Sequence, residues 1–326
     1  MGKVYRILVA GLLMTMLTAC YQDPDLGYEV HSCAPMPVAR ASATCFVIND
    51  RAYVFAGRDS EGVLYNDLWC YTPATDSWES LGATPLKERV NATACVSDGK
   101  VYIGLGFNGL YGRDTCYLQD WWEYSPQTNQ WTQLADYPNR YTDDATSFVG
   151  PGELYVGYGF YWNYRRDMFR YTIETNQWDS IDVHASFKGY PPRSFGGTGC
   201  TCQGRHFMGT GYFKSSLNWW AELVDGTHWE ARAAVPGKAR TLASSAANND
   251  YVYLCGGVQY GSVTTTFDVL RDIRRYDPNT NSWQFLAVMP QGLYNHICFT
   301  IGNRFYYGLG ENAEWAVNKQ MYYIED

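Results

Sequence analysis

Arg40, Arg89 and Arg240 each stand 13 residues before a tyrosine, and Arg140 and Arg193 fall within one or two places of the same spacing ahead of Tyr155 and Phe207. A guanidinium offers a planar fork that suits carboxylate, phosphate or sulfate. Gathered at one place, five of them would form an anion-binding rim. A sixth occurrence of the spacing carries Leu293-Tyr294 and then His296 instead. Asp144 and His296 are of the types that move protons. Tyr161, Trp162, Trp219 and Trp315 are aromatics whose faces stack on the C–H faces of sugars, and the segment YGFYWNYRRD around Tyr161 and Trp162 is the best candidate contact loop. A second use of the arginines is structural, bridging neighbouring units through backbone carbonyls and acids such as Glu88, Asp143 and Asp144. The adjacent Trp pairs can likewise be packing. No catalytic residue is assigned at this level.

Residues at a recurring spacing need a recurring element to hold them. YTPATDSW, YSPQTNQW, YTIETNQW, VDGTHW and YDPNTNSW end at Trp78, Trp131, Trp178, Trp229 and Trp283, at intervals of 53, 47, 51 and 54 residues. About twenty residues before each lies an apolar run ending in glycine, such as YVFAG (53–57) or YLCGG (253–257), and a sixth, YYGLG (306–310), has no tryptophan segment after it. The chain's early segment YEVHSCAPMP supplies the missing piece, with Val30 seven residues before Pro37 where other units place Trp. That predicts closure of the last unit by the first strand, which removes an exposed sheet edge. Cys45, Ala94, Ser147, Gly199, Ser245 and Cys298 all lie eight residues before the unit's Tyr or Phe, and small residues at one register fit strands that converge on an axis.

These units resemble the kelch repeat, whose period is about 50 residues and whose units are four-stranded propeller blades. The resemblance covers roughly residues 28–326 and rests on the glycine strand, the Trp, and the Tyr seven before it (Tyr71, Tyr124, Tyr171, Tyr276). The paired glycines of the family survive only as Gly256-Gly257, and Leu223 stands where Tyr is expected in the fourth unit. The resemblance implies an all-β, six-bladed propeller of antiparallel blades. In such blades the d-to-a and b-to-c connections share one face, and the longer b-to-c loops of a rigid scaffold are where function concentrates.

Residues 1–20 read as a secretory signal peptide, with Lys3 and Arg6 ahead of an apolar run from Ile7 to Leu17. Leu17-Thr18-Ala19-Cys20 resembles the bacterial lipobox, which implies a lipid on Cys20, a short tether over 21–27, and a protein held in the bacterial cell envelope on the periplasmic or the outward side. The 326 residues carry 33 acidic and 25 basic side chains, 46% apolar and 17% aromatic residues. Disorder is excluded by the apolar share, and the negative balance gives no footprint for nucleic acid. Nine further cysteines include no C-x-x-C, and Cys200 and Cys202 form only a C-x-C, so most are read as small core residues and no metal or cofactor is expected.

Three functions fit. The first is a non-catalytic, membrane-anchored, monomeric lipoprotein that binds a glycan, especially an acidic one, or a protein partner through the variable face. The second is a sugar mutarotase similar to the kelch-type sialic acid mutarotases, in which an acid and a base open and close the ring while Arg holds a carboxylate. The third resembles galactose oxidase, but its copper site needs two His near the axis, and among His31, His184, His206, His228 and His296 only His296 falls at the mouth by register.

Overall fold

The computed structural model describes residues 27–109, 116–139, 142–161, 163–182, 184–185, 192–261 and 267–326, with the side chains of 161, 163–164 and 184–185 outside that description. Six antiparallel sheets form six blades, each ordered a, b, c, d from the axis outward. Blade 1 comprises Thr44–Ile48, Arg51–Phe55, Asp67–Thr72 and Ser77–Ala83, and blade 6 comprises Ile297–Ile301, Arg304–Gly308, Met321–Glu325 and His31–Cys33. The closure is as expected: His31, Ser32 and Cys33 pair with Tyr323, Tyr322 and Met321. One step further along that register sets Val30 opposite Ile324, the position at which other blades place Trp opposite Tyr. Blade 4 departs from four strands, because His184–Ala185 adds a short parallel strand outside His228–Ala231. In blades 3 and 5 the b-to-c loops rise as small hairpins, Phe160–Tyr161 with Asn163–Tyr164 and Val258–Tyr260 with Phe267–Val269.

The repeated Tyr, Asn and Trp are one device. Asp76, Asn129, Asn176 and Asn281 take the left-handed conformation (φ 46 to 53°) that closes the c-to-d turn, which their short polar side chains tolerate. In blade 5 the Asn281 Oδ1 accepts from the Tyr276 hydroxyl at 2.9 Å and from the Ala233 N–H of blade 4 at 2.8 Å. Trp283 Nε1 donates back to the Ala233 carbonyl at 2.8 Å. Blade 3 grips Ala135 in the same way, and blade 1 uses Asp76 and Trp78 to grip Ala34 beyond the chain's first strand. Each clamp joins a blade to its predecessor, and the one at Ala34 joins the two ends of the chain.

The glycine strands have a similar logic. Strand b ends on a residue at φ near 60° (Ala56, Leu105, Tyr158, Thr210, Gly256, Leu309) followed by a glycine, at φ 92° for Gly106. A Cβ on Gly106 would lie 2.4 Å from the Val90 carbonyl of its own blade, so the second glycine is obligatory while the first tolerates a side chain. That is why the family's glycine pair persists here mostly as a single residue. On the innermost strands the small residues expected at the axis bond to neighbouring blades: Cys45 Sγ donates to the Cys298 carbonyl at 3.2 Å and Ser147 Oγ to the Ala94 carbonyl at 3.1 Å.

Candidate functional site

The arginines correct the sequence reading. Arg40, Arg89 and Arg240 are 1, 0 and 1% exposed. Each forks onto an aspartate at the start of strand c of its own blade: Arg40 on Asp67 at 2.7 Å through both nitrogens, Arg89 on Asp120 at 2.8 Å through both, and Arg240 on Asp272 at 2.9 and 2.8 Å. The same guanidiniums donate to the carbonyls of Ala56, Leu105 and Gly256, the left-handed residues ending strand b. Tyr65 lies over Arg40 with its ring centroid 3.7 Å away. These three groups are therefore fasteners within a blade, neither open to an anion nor bridging blades through Glu88, Asp143 or Asp144. The arginine pairs hold the Asp67 and Asp272 carboxyls below their ordinary range despite burial. In blades 3 and 4 the matching position belongs to Thr142 and Ser194, both buried. Arg193, one residue earlier, is exposed. Arg140 and Trp162 lie outside the described residues. Tyr161 sits in the blade 3 hairpin, Trp219 is 8% exposed within the blade 4 core, and Trp315 is 65% exposed.

At the axis, the residues just before strand a form a collar. Ser42, Asn91, Asp144, Gly196, Leu242 and Asn295 occupy equivalent places in the six blades, all with φ of 50 to 59°. Backbone N–H groups link the collar from blade to blade: Asn91 to the Ser42 carbonyl, Ser42 to Asn295, Asn295 to Leu242 and Leu242 to Gly196, at 2.7 to 3.2 Å. A non-glycine residue at such φ is uncommon and is kept only where its surroundings over-determine it. The collar encloses a cavity of about 140 Å³ on the face of the b-to-c loops.

Two of the expected groups meet there. Asp144, from blade 3, and His296, from the opposite blade 6, both line the cavity. Burial drives the Asp144 carboxyl up to about 7. Its neighbour Asp143 is pushed well above the carboxylate range by burial and by the Asp144 charge. A carboxyl that holds its proton near neutrality is a proton donor in waiting. The ring of His296 is 5% exposed; its Nε2 lies 3.1 Å from Cys255 Sγ, and its buried Nδ1 has no partner.

Around the mouth the structure adds two groups that the sequence reading passed over, Glu311 and Arg58, to aromatics of which it had named Trp315. Glu311, 4% exposed, accepts from Asn295 Nδ2 at 3.0 Å and from the Tyr294 hydroxyl at 3.3 Å, and pairs with the half-buried Arg58 at 2.7 Å. Asn295 belongs to the collar, so this acid is wired to the cavity wall. An aromatic belt follows the rim: Phe160 to Phe195, Phe195 to Tyr212, Tyr212 to Tyr260, Tyr260 to Phe267, with centroids 5.4 to 5.9 Å apart, and Trp315 stacked flat on Phe267 at 4.9 Å and 6°. Trp315 projects from a tight turn capped by Asn312, at φ 64°. The sequence signal for Arg58 and Glu311 is their place directly after the glycine that ends strand b, Gly57 and Gly310. Among the described residues no three His, Cys, Asp or Glu side chains converge as a metal site.

A family model of the KLHDC2/KLHL20/DRC7 kelch-repeats domain matches residues 27–211. Among curated proteins the chain is similar to N-acetylneuraminate epimerase of Shigella sonnei (strain Ss046) and of Escherichia coli (strain K12), 35% identical to each over 85 residues. The match spans 26% of this chain and 23% of the length of those relatives. Among solved structures it is similar to that of YjhT, with a TM-score of 0.72, 18% identity, and coverage of 90% of this chain and 99% of that one. That likeness is one of fold.

Proposed function

The chain belongs to the kelch-repeat family, and from that premise we infer that it binds a reducing sugar of the sialic acid class at the axial cavity and interconverts its anomers. The observation that carries this reading is the placing of Asp144 and His296 on one small polar cavity, and the partial match to curated epimerases supports it. Mutarotation needs a proton delivered to the ring oxygen and one taken from the anomeric hydroxyl; the C–O bond opens to the carbonyl form, the chain rotates, and the steps reverse. Asp144, protonated up to about pH 7, supplies the first proton. The hydrogen-bonded His296–Cys255 pair accepts the second, and closure returns both. General acid–base assistance of this kind contributes on the order of 10² to 10⁴ in rate. Since Arg40, Arg89 and Arg240 are engaged and Arg58 is paired with Glu311, a substrate carboxylate would be met at the rim by the exposed Arg193.

The test is anomeric exchange of N-acetylneuraminate followed by NMR. The protein should accelerate exchange over buffer, and Asp144→Asn should lower kcat by about 10²-fold while the fold is retained. Exchange no faster than buffer with the wild-type protein removes the catalytic reading. A second reading, a non-catalytic glycan binder, is favoured by the exposed Trp315 platform: a glycan-array signal that Trp315→Ala abolishes, without accelerated exchange, would select it. We also propose that Cys20 carries a lipid. Cys20→Ala should move the protein from the membrane to the soluble fraction, and unchanged fractionation would dismiss the anchor.

A further inference from the structure

The wall below the cavity holds a group that sugar chemistry does not use. Cys255, at the end of strand b of blade 5, has no solvent exposure, and its sulfur lies 3.1 Å from Nε2 of His296 in blade 6. Cys298, two residues after His296 on the innermost strand, belongs to the same buried cluster as Cys255. No disulfide joins the nine cysteines among the described residues. Cys255 thus has an imidazole on its sulfur and a second thiol in its buried cluster, and the same imidazole lines a cavity open on the loop face. Thiolate nucleophiles are made by such partners, and a second thiol in contact is what resolves an oxidised one.

We propose that Cys255 and Cys298 form a peroxide-reactive dithiol, reached through the axial cavity and closing to a disulfide between blades 5 and 6. The Cys255 thiolate attacks one oxygen of hydrogen peroxide; an S–O bond forms, the O–O bond breaks, and the departing hydroxide takes the proton that Cys255 gave to His296 and leaves as water. Cys298 sulfur then attacks the sulfenic sulfur; the S–S bond forms, the S–O bond breaks, and the hydroxide leaves with the Cys298 proton as a second water. Two thiols are oxidised and one peroxide is reduced. A small oxidant is required, because the cavity measures only about 140 Å³.

The electrostatics agree with that geometry. Burial alone would raise the Cys255 thiol, but the nearby Cys298 thiol and the His296 ring outweigh it and bring it down to about 6, against a smaller opposing influence of Asp272. Cys298 is pushed the other way, by burial and by Cys255, with Cys45 and Cys200 adding to it. Tyr307 also faces Cys255, and its hydroxyl is raised mainly by burial. Attacker and resolver are therefore distinguished by their surroundings.

The experiment treats the reduced, purified protein with hydrogen peroxide, alkylates it and maps cysteines by mass spectrometry. Two fewer alkylatable thiols are expected, with Cys255 linked to Cys298. Cys298→Ser should leave a sulfenic acid on Cys255 that dimedone traps, and Cys255→Ser should abolish both products. In the wild-type protein, which requires no substitution to fold, the oxidation rate of Cys255 should reach half its maximum near pH 6. His296→Asn should slow it on the order of tenfold at pH 6. Nine unaltered thiols, a bridge elsewhere, or a Cys255 rate rising only above pH 8 would each overturn the proposal. None of these readouts involves a sugar, so failure here and failure of the mutarotase reading are separate results.

Discussion

Two aspartates and a third of opposite character divide the chemistry of this molecule. Asp67 and Asp272 are held ionised by guanidiniums, whereas Asp144 resists ionisation because it faces a desolvated wall. The signs differ. A depressed carboxyl stabilises the fold above its unfolded value near 4 and loses that contribution as pH falls. The raised Asp144 favours the fold fully below about 4, and this advantage drains away as pH climbs to about 7. Asp144→Asn should accordingly raise Tm over wild type most above pH 7 and hardly at pH 4, measured by differential scanning calorimetry across that range. A constant gap would contradict the assignment. Arg89→Met should be costly, because it strands Asp120 on a half-buried site: about 3 kcal/mol by chemical denaturation, the low end for broken buried pairs since Asp120 retains some exposure. The arginine repeat was legible in the sequence, but not its purpose: the partner acids follow 27, 31 and 32 residues later, across b-to-c loops of unequal length.

The strands were the most legible elements, because each blade repeats the same local demands: a glycine where the backbone passes close to a neighbour, a left-handed Asn or Asp in the c-to-d turn, a Trp to reach the preceding blade. Less legible was anything made between blades. Cys255 and His296 are 41 residues apart and belong to different units, and a reading confined to one repeat treats each cysteine as filler. The same limit hid Glu311, whose partners come from blade 6 and from Arg58 of blade 1. The clamp offers a test of the element itself. Trp283→Phe keeps the ring contact with Tyr276, whose centroid lies 5.0 Å away, but removes the bond to Ala233. A loss of about 1 kcal/mol is expected in denaturant unfolding, and Asn281→Ala, which also deprives Tyr276 and the Ala233 N–H of their acceptor, should cost more. Equal stability of all three proteins would show that the hydrogen bonds are incidental to the packing.

The whole molecule is a ring with a seam in blade 6. Its closure combines three ladder pairs, the Trp78 and Asp76 grip on Ala34, and the buried Met36. Deleting residues 27–36 should destabilise far more than any single clamp substitution and expose the edge of Met321–Glu325, visible as concentration-dependent association in analytical ultracentrifugation. The seam also sets an orientation. Strand d of blade 6 runs from the turn side of the disc at His31 toward the loop side at Cys33, and Tyr28 bonds Asp326 at the turn-side end of strand c, so Gly27 and Tyr28 lie on the surface opposite the collar. A surface or probe coupled at Gly27 would therefore sit behind the disc, leaving the aromatic border free to meet passing solutes.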